Sequence, residues 1–147
     1  MKSLKTFDLE TEVIMLNEMA QRGAKYTKSF GDQMLECLEA NGITTPLKFV
    51  LKTNLHDSTY KKLRRDPDGN YELEVILTIC AALDLDIDTT NRLLEAAGHV
   101  LRQSLYTHLA YKTLFTRLIG QTYNTKNEFL RSVGVKELGS KTYRERD

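Results

Sequence analysis

Ser58, Lys61, Lys62 and Arg65 stand at i, i+3, i+4 and i+7. On a helix that spacing puts a hydroxyl, two ammonium groups and a guanidinium on one stripe. All four are hydrogen-bond donors. Lys61 and Lys62 can donate to guanine O6 and N7 or to phosphate oxygens, and Ser58 and Thr59 can bond either. Arg64 and Arg65 lie at the end of the segment, where backbone contact suits them better. Upstream, Thr45 and Leu47 open a helix whose N-terminal N–H groups can meet a phosphate. An ordinary solvated helix face would look similar, so the stripe alone does not choose between the two.

Other chemistries have weaker support. His56, His99 and His108 share no ligand spacing with each other or with Cys37 and Cys80, so no metal site is expected. There is no glycine-rich phosphate loop, no nucleophile beside a base and no carboxylate pair at catalytic spacing. Neither an enzyme nor a cofactor is expected. Tyr106, Tyr111, Phe115 and Tyr123 fit a core or a dimer seam better than a ligand pocket.

The elements that would position the stripe are short helices. Val13, Ile14, Leu16, Met19 and Ala20 suggest a first one, with Gly23 as its stop. Phe30, Met34, Leu35, Cys37 and Leu38 form the apolar face of a second, closed by Asn41-Gly42. Thr45-Pro46 is an N-cap followed by proline at the first helical position. The helix it opens carries Leu47, Phe49, Val50 and Leu51. After a tight turn at Thr53-Asn54-Leu55, His56 or Asp57 opens the next helix, to about Arg65. Phe49, Val50, Leu55, Tyr60 and Leu63 are the positions both helices would bury.

Asp66-Pro67-Asp68-Gly69-Asn70 is a turn. Leu73, Ile76, Leu77, Cys80, Ala81 and Leu83 then give a helix with a broad buried face. Asp86 or Asp88 can cap another, closed by Gly98. A longer helix is expected from Leu105 to Ile119, ended by Gly120. Thr125 with Glu128 resembles a capping box for a last one, stopped at Gly134. No segment alternates with period two. The expected class is all-α, a compact orthogonal helical bundle.

Hydrophobic residues are 41% and charged residues 28% of the 147, the balance of an ordinary globular domain without a spanning segment. The net charge of +1 conceals segregation. Residues 45–66 hold six cations against two carboxylates, 71–100 one cation against six, and 101–147 nine against four. A basic face and an acidic face would follow. The N-terminus has no apolar signal region, and two cysteines in helical patterns suit free buried thiols, so a cytoplasmic protein is expected.

From Phe30 to Gly98 the succession of helix, tight turn, helix, turn and ELEVILTICAALDLDIDTTNRLLEAAG resembles the lambda-repressor/Cro-like (XRE) helix-turn-helix family. LAYKTLFTRLIG and NEFLRSVGVKELGS resemble the C-terminal extension of one branch of these bacterial regulators, taking the likeness to about residue 140. The resemblance implies a lambda-repressor-like domain at 30–98, an N-terminal extension at 1–29, a packed helical extension at 99–140 and a frayed tail at 141–147.

It further implies a transcriptional regulator that inserts residues 57–65 into the major groove of double-stranded DNA. His56, Asp57, Ser58, Lys61 and Lys62 would read bases, and Thr45, Lys48, Lys52, Thr59, Arg64 and Arg65 would meet phosphates. One such module buries little DNA, so a homodimer is expected, with its contact in residues 1–29 or beyond Gly98. The chain departs from the family pattern at Val50, where a small residue is usual, and at Asn54, where glycine is. Pro46 stands where a phosphate-contacting glutamine is common. Asp57 would face DNA with the wrong charge unless it meets cytosine N4 or caps the helix. These departures leave a second reading, in which the fold is a protein-interaction module of adaptor or antitoxin type.

Overall fold

The computed structural model describes the backbone of residues 8–26 and 28–139, and the side chains of 8–21 and 28–139. The expected tail at 141–147 lies outside them. The described residues form eight helices and no strand, so the class is all-α. The helices are α1 (Leu9–Tyr26), α2 (Phe30–Ala40), α3 (Pro46–Thr53), α4 (Asp57–Arg65), α5 (Leu73–Ala82), α6 (Ile87–Ala96), α7 (Tyr106–Leu114) and α8 (Tyr123–Ser132). None is long and apolar enough to cross a membrane.

Helix α5 is the hub. Every side chain from Ile76 to Ala82 is buried, so α5 is apolar nearly all round, as a central helix must be. It packs against α3, α6 and α8, while α2 packs on α4 and α6. Met34, Phe49, Leu63, Leu77, Leu94 and Leu130 belong to one buried cluster, which therefore draws on both sides of Gly98. Burial of such side chains contributes on the order of 1.5–3 kcal/mol each.

Local signals set most boundaries. Ser29, Thr45 and Asp86 cap α2, α3 and α6 through their side chains, and Pro46 takes the first position of α3. Gly42, Gly98, Gly120 and Gly134 all have positive φ at the expected stops.

Four expectations fail. Helix α1 runs through Gly23, since one glycine costs a helix only about 1 kcal/mol. The long helix to Ile119 ends at Leu114. The Thr113 carbonyl then gathers the N–H groups of Thr116, Arg117 and Leu118, and Asp84 captures the Gly120 N–H at 3.0 Å. Helix α8 is capped by Thr122, whose hydroxyl accepts from the Thr125 N–H at 3.1 Å, so Thr125 lies inside the first turn. On α3 the inward residues are Phe49 and Thr53. Leu47 and Leu51 are 67% and 76% exposed, and Val50 is only half-buried.

Candidate nucleic-acid interface

Helices α3 and α4 pack on each other through a turn built by three residues. Asn54 ends α3 in the left-handed region at φ 64° and ψ 19°, which asparagine tolerates better than other non-glycine residues. The Thr53 hydroxyl donates to the Phe49 carbonyl at 2.8 Å and accepts from the Leu55 N–H at 3.1 Å. Leu55 is buried beneath the turn. The Phe49 and Tyr60 rings meet at 5.5 Å and set the two helices against each other.

His56 is the N-cap of α4. Its Nδ1 accepts from the Ser58 N–H at 3.1 Å and lies 3.1 Å from the Asp57 carboxylate. One nitrogen cannot do both: the neutral ring caps the helix, and a ring protonated there would donate to Asp57. Asp57 also lies 3.4 Å from Lys61, one turn on. Its charge is therefore turned onto Lys61 and the positive end of α4.

Tyr60 and Leu63 fix the inner face of α4. That leaves Ser58, Lys61, Arg64 and Arg65 exposed. Lys48 and Lys52 are exposed on α3, Thr45 is exposed at its start, and Thr59 is half-buried. The geometry thus brings Ser58, Lys61 and Arg65 onto one outward face, as the spacing requires.

Lys62 is different. Its ammonium donates to the Asn70 carbonyl and lies 4.5 Å from the Tyr71 ring centroid. Tyr71 in turn donates to the Asp66 carbonyl at 2.7 Å. Burial, with Asp66 nearby, pushes the Tyr71 hydroxyl up to about 12, so it stays a donor. Lys62 is thus committed to holding the turn after α4, which sets it apart from the other base-reading candidates.

Residues far along the chain complete the motif. The Asn54 amide donates to the Gly139 carbonyl at 2.8 Å. The Tyr123 hydroxyl lies 3.1 Å from both the Thr53 and Leu138 carbonyls, and a single O–H donates to one at a time. Asn127 clamps Leu138, accepting its N–H at 2.8 Å and donating to its carbonyl at 3.1 Å. A Cβ at Gly139 would lie 2.1 Å from the Tyr123 oxygen and 2.9 Å from the Thr53 carbonyl, so only glycine fits there without movement. The segment after α8 is thereby fastened to the end of α3. A second anchor joins α8 to α5: buried Lys126 pairs with Asp84 at 2.6 Å and reaches the Ala81 carbonyl at 3.3 Å. Sequence reasoning missed both, because each joins residues more than forty positions apart.

The remaining candidates are occupied structurally. His99 pairs with the Tyr71 carbonyl at 2.7 Å, and His108 accepts the Arg102 N–H at 2.8 Å. Cys37 and Cys80 are free thiols. Among the described residues no His, Cys, Asp or Glu cluster could hold a metal ion. Tyr111 and Phe115 are core, whereas Tyr106 is exposed. No protein family model, no curated protein and no solved structure matches the chain.

Proposed function

We propose that the chain is a sequence-specific DNA-binding transcriptional regulator of lambda-repressor-like (XRE) type, acting as a homodimer. The observation that carries this reading is the outward face of α4, where Ser58, Lys61 and Arg65 stand clear of the core while Tyr60 and Leu63 anchor the helix. A helix about 10–12 Å across fits the major groove. Ser58 and Lys61 take the base-reading role, with His56 and Asp57 at the helix tip. Lys48, Lys52, Arg64 and Arg65 neutralise phosphates, and Thr45 and Thr59 border them. Lys62 acts indirectly, by holding the turn that follows.

Selection from a random duplex library, followed by fluorescence anisotropy at two salt concentrations, tests the reading. The expected result is an enriched near-palindrome whose affinity falls steeply with salt. Lys61→Ala is expected to relax preference at one or two base pairs, at a cost of about 1–3 kcal/mol. No enrichment, or enrichment indifferent to Lys61, would sink it.

One observation favours the alternative of a protein-interaction module. Leu47 and Leu51, 67% and 76% exposed, form an apolar pair beside Lys48 and Lys52 on α3. Such a pair suits a protein surface better than a phosphate backbone. An unenriched library would turn attention to that face.

A further inference from the structure

Two apolar surfaces have no partner among the described residues. The first is α1. All its described side chains are exposed, among them Leu9 at 66%, Leu16 at 64% and Met19 at 62%. Leu9, Val13, Leu16 and Ala20 follow each other at spacings of four, three and four. They make a continuous stripe about 60° wide along α1, with Met19 beside it and Ile14 and Met15 exposed outside it. The second surface lies at the start of α7. Leu105 and Leu109 are exposed on the side of the helix away from buried Leu114, Tyr106 is exposed next to them, and Val100 is 70% exposed. A cleft of about 310 Å³ beside them is lined by Ile87, Val100, Leu101 and Lys112, with Glu95 its one carboxylate.

The charges on the two surfaces are opposite. Residues 8–21 carry four carboxylates, Asp8, Glu10, Glu12 and Glu18, and the only cations of α1, Arg22 and Lys25, follow in its last turns. Residues 99–122 carry Arg102, Lys112 and Arg117, all exposed, and no Asp or Glu. A parallel α1 pair would set Glu10 and Glu12 beside their own copies. An α1 laid on a basic, apolar α7 satisfies both the stripe and the charge.

We propose that the occupant is a second copy of this chain: α1 of each protomer lies on the Leu105–Leu109 face of the other, so that one two-fold axis buries both surfaces twice. Such an isologous exchange closes, leaving no surface for a third copy. It deepens the dimeric reading above. The two fail separately, because a dimer that ignores DNA defeats the regulator alone, and a monomer that selects a DNA site defeats this contact alone.

Sedimentation equilibrium of the full chain is the test. The wild type is expected to be a dimer whose dissociation constant rises roughly tenfold from low to high salt, since part of the contact is ionic. Leu16→Asp and Leu109→Asp each change an exposed side chain. Each is expected to give a monomer with an unchanged helical circular dichroism spectrum. An equimolar mixture of the two variants is expected to regain dimer, because one intact α1 then meets one intact α7. A second pair, Glu12→Lys/Glu18→Lys and Lys112→Glu/Arg117→Glu, should weaken the dimer singly and restore it when combined in one chain. A monomeric wild type, a dimer indifferent to Leu109→Asp, or a mixture that stays monomeric overturns the proposal. The second result is what an α1 to α1 pairing would give.

Discussion

Asn54 does two things at once. Its backbone takes the left-handed turn, and its amide holds Gly139. Asn54→Gly keeps the first and loses the second, whereas Asn54→Ala loses both. Urea titration is expected to rank the variants accordingly, with Asn54→Gly about 1 kcal/mol below wild type and Asn54→Ala roughly 1–2 kcal/mol lower again. Equal losses would mean that only the amide matters.

Asp84 offers a pH test at the same scale. Burial pulls its carboxyl up, but the hydrogen bonds from Lys126 and the Gly120 N–H outweigh that, so it lies below the usual value. A depressed carboxylate stabilises the fold above the unfolded value of about 3.9, and that contribution disappears as pH falls through the folded one. Asp84→Asn should therefore flatten the acid limb of the stability profile below about pH 4. It also leaves the Lys126 ammonium buried without its partner. The loss at neutral pH is expected to be about 3 kcal/mol, and Lys126→Met added to it should recover most of that. Thermal melts of the single and double variants decide.

At the scale of elements, α4 separates two lysines that look equivalent in the sequence. Lys61 faces out, and Lys62 is turned onto the Asn70 carbonyl and the Tyr71 ring. Lys62→Ala is expected to lower stability by about 1 kcal/mol with DNA preference retained, the reverse of Lys61→Ala. Denaturation and anisotropy on the same two variants compare them directly. The spacing of Ser58, Lys61, Lys62 and Arg65 revealed the shared stripe because helical geometry is local. It could not reveal that the turn after Asp66 comes back beneath Lys62.

The same limit explains the other differences. Thr45-Pro46, Asn54 and Asp86 announce their roles within four residues of themselves. Val50, expected inside, is only half-buried because α3 is too short for its period to fix which side faces inward, and the aromatic pairing of Phe49 with Tyr60 decides it. Thr122 and Thr125 are the same residue type with rival claims to one helix start. Nothing near Gly139 hints that it must pass between Tyr123 and Thr53.

The molecule as a whole is built around α5, and its thiols report on that. Burial pushes the Cys80 thiol up to about 12, the Thr90 hydroxyl beside it offsetting only part of the effect. Cys37, half-buried, is also raised by burial. A thiol that does not ionise does not react. In native conditions a disulfide reagent is expected to modify Cys37 slowly, and Cys80 only at the rate of global unfolding. Modification of Cys80 in the intact fold would show that α5 opens locally. Mass spectrometry of the time course distinguishes the two.

The bond between Asn54 and Gly139 spans 85 residues. At roughly 5–20 residues per second, a ribosome that has made Asn54 works on for about ten seconds before Gly139 exists. During that interval α4 can form, yet the turn ahead of it lacks its closing bond. A nascent chain therefore carries α4 on an unfinished seat, and a segment translated 85 residues after Asn54 is the one that completes it.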